Sequence, residues 1–270
     1  MTVEQYRYDI PRQELTQEFL DCLRAADEHI TNIIKEKELT VAFTRIVGLP
    51  TFLDHLAFTL GNQVFCIYVA PDNEDVNPPN GIEGLMTAAE GQDAYPCLLW
   101  MTQEDGKWIP KYTEGSEWGL IDQRNGQYLI PEKLVTHELK ELTYWEIYET
   151  CNFFVMQELD KNGFRVTSID SNPRVEPGLW VEDESGEDYF VIVDPIPLKN
   201  GRPMTQDEIN GRTEGLLERG LKGFYAPVYV VGRDQEYDEE GYPTGEPAPL
   251  HRGDGYRVIF DGVESLGLKQ

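Results

Sequence analysis

Basic residues, cysteine and histidine are scarce in this chain, and each scarcity closes off a class of function. Lysine and arginine number 23 against 49 aspartates and glutamates, a net charge of −26. That much negative charge repels phosphate backbones and anionic lipid surfaces, so direct nucleic-acid binding and membrane-surface binding are disfavoured. The four cysteines, Cys22, Cys66, Cys97 and Cys151, lie far apart without a C-x-x-C pair. This spacing argues against a zinc site or a disulfide framework and points to a reducing cytoplasm. The four histidines form no constellation: His55 follows Asp54, His29 follows Asp27-Glu28, and His137 and His251 stand alone. No run approaches the ~20 apolar residues of a membrane span, and Met1 to Tyr8 has neither the basic nor the apolar region of a secretory leader. Gly-x-Ser-x-Gly, Gly-x-x-x-x-Gly-Lys and Gly-x-Gly-x-x-Gly are all missing, which removes the nucleophile elbow and the common nucleotide pockets and implies no cofactor. The acidic string from Asp234 to Gly241 is no calcium loop, because Glu239 stands where an EF-hand needs glycine. It reads as a solvated hairpin turn.

What is present is a globular chain, 40% hydrophobic and 11% aromatic, with 270 residues to build two ordinary domains. Similar strings occur twice. Glu83-Gly84-Leu85 followed by Pro96 matches Glu214-Gly215-Leu216 followed by Pro227 at an offset of 131, and Gly61, Phe65 and Ile67 match Gly186, Phe190 and Ile192 at 125. Each half also shows the same order of periodicities. Apolar residues at three- and four-residue steps predict a helix over 11–35, then strands over 39–44, 56–60 and 64–69, a helix over 81–90 and a strand over 97–101. The second half repeats this with a helix over 141–161, strands over 164–169, 178–182 and 189–193, a helix over 205–220 capped by Thr205 and Glu208, and strands over 226–231 and 256–260. The expected architecture is therefore α+β, with two tandem modules over 1–125 and 137–270 and a linker over 126–136, where Asn125-Gly126 and Pro131 interrupt the patterns.

The order helix–strand–strand–strand–helix–strand resembles the core of the restriction-endonuclease-like (PD-(D/E)XK) family, most clearly over 145–231 and more faintly over 15–101. Members that cut nucleic acid carry an acid on the second core strand and an acid-x-Lys on the third, which hold a divalent metal. Here the third strand offers Ile192 and Asp194, or Ile67 and Val69, and the second offers Leu179-Trp180. The resemblance thus implies a degenerate scaffold without its metal site.

Three functions follow as expectations. The first is a non-enzymatic acidic protein that recognises a basic macromolecular partner, in the manner of an immunity protein, an antitoxin or a nucleic-acid mimic. In it, the unusual string His251-Arg252-Gly253-Asp254 offers Arg252 and Asp254 as candidate partner-binding residues. The second is a metal-dependent hydrolase whose carboxylates converge only in the fold, with Asp170, Glu182 and Asp194 as candidates at or near strand ends. The third is a structural or assembly subunit.

Overall fold

In a computed structural model, residues 16–45, 55–73, 76, 82–111, 116–170, 172–197, 202–238, 243–244 and 248–267 are described. The start of the helix expected over 11–35, and Glu239 of the acidic string, lie outside them. No helix among the described residues is long and apolar enough to cross a membrane. The chain divides into two compact units, Pro11–Lys140 and Glu141–Gln270.

The first unit begins with α1 (Gln17–Glu36), whose N-cap Thr16 accepts a hydrogen bond from the Phe19 amide at 3.2 Å. Three antiparallel strands follow, β1 (Val41–Arg45), β2 (Leu56–Leu60) and β3 (Gln63–Pro71). The turn between β2 and β3 uses Gly61 at φ +57°, a left-handed conformation that glycine adopts at little cost. Helix α2 (Ile82–Gly91) then returns the chain so that β4 (Tyr95–Glu104) lies parallel to β3. The short strands β5 (Lys107–Pro110) and β6 (Leu120–Asp122) both pair antiparallel with β4.

The second unit repeats this plan. Helix α3 (Tyr144–Lys161) starts on a capping box, in which the Thr143 hydroxyl accepts from the Glu146 amide and the Glu146 carboxylate accepts from the Thr143 amide. Strands β7 (Arg165–Ile169), β8 (Leu179–Glu182) and β9 (Asp188–Pro197) are antiparallel neighbours. Helix α4 (Gln206–Leu217) carries the expected Thr205/Glu208 capping box and leads into β10 (Lys222–Gly232), parallel to β9. The pair β11 (Glu236–Tyr237) and β12 (Pro243–Thr244) forms a small ribbon, and β13 (Tyr256–Ile259) and β14 (Glu264–Leu266) pair antiparallel with β10. Both sheets therefore run in sequence order with a parallel pair at the same place, and the fold is α+β with two tandem similar modules.

Alternation along the strands divides each sheet into two apolar faces. In the first unit Phe58, Phe65, Ile67, Cys97 and Leu99 pack with Phe19, Leu23 and Ile30 of α1, while Ala57, Val64 and Cys66 pack with Leu85 and Ala89 of α2. In the second, Val181, Val191, Val193 and Ala226 pack with Tyr148, Cys151 and Val155 of α3, while Phe190, Ile192 and Tyr225 pack with Ile209 and Leu216 of α4. Each fully buried large side chain contributes about 1.5–3 kcal/mol of transfer free energy.

This division into faces corrects the alignment of the halves. The edge strand of each unit has a bulge at one place, between Val41 and Phe43 opposite Leu60 and Thr59, and between Val166 and Ser168 opposite Val181 and Trp180. Leu60 thus corresponds to Val181. Their next-strand partners, Gln63 and Tyr189, correspond in turn. Phe190 is then the counterpart of Val64, not of Phe65. The offset of 125 is a one-residue slip on this strand, and such a slip exchanges the faces of the sheet. The Glu-Gly-Leu match fails as well, since Glu83 lies in the first turn of α2 and Leu216 in the last turn of α4.

Residues 126–136, expected as a linker, are built into the first unit. Asn62 donates through Nδ2 to Thr136 Oγ1 at 2.7 Å and to the Glu138 carbonyl at 2.8 Å, and its Oδ1 accepts from the Thr136 amide at 3.0 Å. Leu129 is buried in the α1-side core, and Lys140 reaches Asp93 at 2.9 Å. Asn125-Gly126 and Pro131 mark turns within the unit.

Candidate functional site

A buried polar group of the second unit surrounds Asp194. By the corrected register this residue is the counterpart of Tyr68 and Ile192 is the counterpart of Cys66, so the pair proposed for the first module, Ile67 and Val69, is displaced by one residue onto the opposite faces of the sheet. Asp194 lies on β9 with only 8% of its surface exposed. Its Oδ2 accepts from the Tyr225 hydroxyl at 2.6 Å and from the Met204 amide at 3.0 Å. Met204 immediately precedes the Thr205 cap, so the carboxylate sits where α4 presents unpaired amides and the positive end of its dipole. Burial, and then the Asp194 carboxylate, push the Tyr225 phenol well above its ordinary range. The pair is thus a neutral phenol donating to a buried acceptor, and it fixes the approach to α4 against the sheet.

The segment between β7 and β8 adds a second polar group. Glu176 pairs with Arg212 of α4, and burial raises the Glu176 carboxyl while the arginine opposes that shift. Gly178 lies so close to the Tyr148 hydroxyl of α3 that any side chain there would displace it. Burial holds the Tyr148 phenol and the Cys151 thiol protonated well above their ordinary ranges. Cys22 is likewise pushed up to about 12, chiefly by burial, and Cys97 is raised in the same way. All four cysteines are buried and none is in a disulfide. Buried thiols so held lack the thiolate character of a nucleophile.

The three metal candidates are not brought together. Ile169 pairs with Leu179 and Arg165 with Glu182, so Asp170 and Glu182 stand at opposite ends of the β7–β8 pair. Glu182 pairs with Asp188 across β8 and β9, which leaves it six residues along β9 from the level of Asp194, about 20 Å at strand spacing. Each has another role: Asp170 caps the Asn172 amide at 2.9 Å, Glu182 binds Arg165 at 3.0 Å, and Asp194 anchors α4. Among the described residues no group of three or more His, Cys, Asp and Glu side chains is gathered as a metal ion would require.

Arg252 is not a surface binding element. Its guanidinium is fully buried and binds Glu146 through Nε and Nη2, both at 2.9 Å. With the Leu142 amide donating to the Leu250 carbonyl at 2.7 Å, the pair clamps the turn at 250–254 onto the start of α3. Asp254 is exposed and lies 3.4 Å from His251 Nδ1. Nothing in the sequence around Glu146 signalled this pairing, because its partner lies more than a hundred residues away.

Phe153 and Phe154 stand on the outer face of α3, each 38% exposed, with ring centroids 6.0 Å apart in an edge-to-face arrangement. One turn earlier, Thr150 Oγ1 lies 3.4 Å from the hydroxyl of the partly exposed Tyr256. A helical wheel could have revealed the outward position, since Tyr148, Cys151, Val155 and Leu159 already fill the inward stripe.

No curated protein and no solved structure matches the chain. Residues 145–266 are similar to a family described as a domain of unknown function (DUF8840), a match that runs from α3 to the end of β14 and covers less than half of the chain.

Proposed function

We propose that this chain is a non-enzymatic binding protein that recognises a basic protein surface. The observation that carries the reading is the excess of carboxylates in both units: 21 acids against 10 bases over 11–140, and 26 against 12 over 141–270. Much of the small basic complement is already engaged internally, with Lys37, Lys111, Arg124, Lys140, Arg165, Arg202, Arg212, Lys222 and Arg252 all paired to carboxylates of their own unit. What remains for solvent is a strongly negative field, which steers a basic partner toward the surface and excludes an acidic one. An immunity or antitoxin-like protein and a nucleic-acid mimic both act in this way on a basic protein.

The frame is read as a restriction-endonuclease-like scaffold that retains no metal-binding set. The position of Ile192, Trp180 and the structurally engaged Asp194 supports that reading, as does the engagement of Asp170 and Glu182 elsewhere. A reducing cytoplasm is the corresponding compartment, supported by four buried cysteines that form no disulfide.

The test is capture from native cytosol on the immobilised full chain at low salt, beside an unrelated protein of equal net charge. A basic protein retained in defined stoichiometry by this chain alone, and released by salt, is the expected result. Identical profiles on the two proteins would refute specific recognition.

A further inference from the structure

Outward-facing aromatics on α3 interrupt a surface that is otherwise charged, and the duplication supplies an internal comparison. The equivalent helix α1 turns Glu18, Asp21, Arg24 and Glu28 to solvent, as an ordinary amphipathic helix does. Helix α3 exposes Phe153 and Phe154 at the corresponding stage of its length, and Tyr256 of β13 reaches the same face through Thr150. The two phenylalanines fill no core: the α3 side of the second sheet is closed by Tyr148, Cys151, Val155, Met156 and Leu159. Two adjacent phenyl rings left partly in water forgo the transfer free energy that burial would return, and exposed aromatic clusters of this kind mark interaction surfaces.

The charges nearby decide what such a surface accepts. Lys161 pairs with Glu158 at 3.4 Å and Arg252 is consumed by Glu146, so neither base offsets the exposed Asp160 or the exposed Asp254 beside the start of the helix. A phenyl face attracts a cation, and arginine is favoured over lysine because its planar guanidinium stacks on the ring while still pairing with a carboxylate.

We propose that the Phe153–Phe154–Tyr256 face is the docking surface for an arginine-bearing apolar segment of the partner protein, with arginine side chains stacked on the phenyl rings and paired at the acidic rim. The inference rests on the proposed recognition of a basic protein and gives that recognition a location.

The test uses the full chain and three fluorescein-labelled peptides of equal length and charge, built from arginine and leucine, lysine and leucine, or arginine and serine. The arginine–leucine peptide is expected to bind most tightly. The double variant Phe153→Ser/Phe154→Ser is expected to weaken it by about tenfold or more, to the level of the arginine–serine peptide. Phe153→Leu/Phe154→Leu keeps apolar area but removes the rings, so it should lose the preference for arginine over lysine; near-UV circular dichroism verifies the fold of both variants. Unchanged affinity in the folded serine variant would overturn this location while leaving recognition of a basic protein intact. Failure of every arginine peptide to bind wild type at low salt would remove the underlying reading as well. A wild-type dimer that the serine variant converts to a monomer would also overturn the proposal, since a second copy would then cover the face.

Discussion

Asp194 and Arg252 are buried charged side chains, and both are explained by their partners. Replacing Asp194 with Ala leaves the Tyr225 hydroxyl without its acceptor and the Met204 amide with the Tyr225 oxygen alone, at 2.9 Å. We expect a loss of about 1–3 kcal/mol in urea denaturation. Arg252→Ala strands the Glu146 carboxylate in a site made for an ion pair, with an expected cost of about 3–5 kcal/mol, part of which returns when Glu146→Gln is added. A stability equal to wild type for Arg252→Ala would mean that the clamp at 250–254 holds without it. His29 adds a pH term in the first unit. Its Nε2 donates to the Trp118 carbonyl at 3.2 Å, and burial lowers its pKa from 6.5. The unfolded chain therefore binds more protons than the folded one below pH 6.5, so the His29 contribution is full above that value and is lost as pH falls through the depressed folded pKa. His29→Gln should flatten the dependence of first-unit stability on pH over that interval.

At the level of elements, helices, strands and their order were legible because periodicity is local. The Thr205/Glu208 box starts α4 as its sequence indicates, and Gly61-Asn62 turns the β2–β3 hairpin. Correspondence between the halves was not legible from matching letters, since Phe65 and Phe190 share a name and face opposite sides of their sheets. The bulges that fix the register are visible only in the pairing. Pro131 and Asn125-Gly126 look like linker chemistry because a turn inside a unit and a turn between units use the same residues. Of the candidate site, the acid excess was readable and the partners of Asp194 and Arg252 were not, because Tyr225 and Glu146 are brought to them by the fold. The β8–β9 hairpin and the start of α4 carry an acid-sensitive element. Hydrogen bonds from Ser185 and the Glu187 amide hold Asp183 down to about 2, and Arg202 with Thr205 holds Glu208 at about 2. Their stabilisation is complete above the ordinary carboxyl values of 3.8 and 4.5 and disappears as pH falls toward 2. Amide exchange in these two elements should accelerate over that range, and Asp183→Asn should remove the hairpin's share of the change.

For the whole molecule, the two units meet in sequence at 140/141, after a segment tied to the first. Limited proteolysis is expected to cut near the exposed Leu139 and to leave 126–136 with the N-terminal product; cleavage within 126–136 would contradict that assignment. Acidity belongs to both units, and it is the property on which the proposed recognition of a basic protein depends. The most direct measurement is the dissociation constant between the full chain and its captured basic partner at 50 and 200 mM salt. The expected result is tight binding at the lower concentration that weakens steeply at the higher, with an acidic control protein binding far more weakly at both. Affinity that does not change with salt, or that equals the control, would contradict recognition through the negative surface.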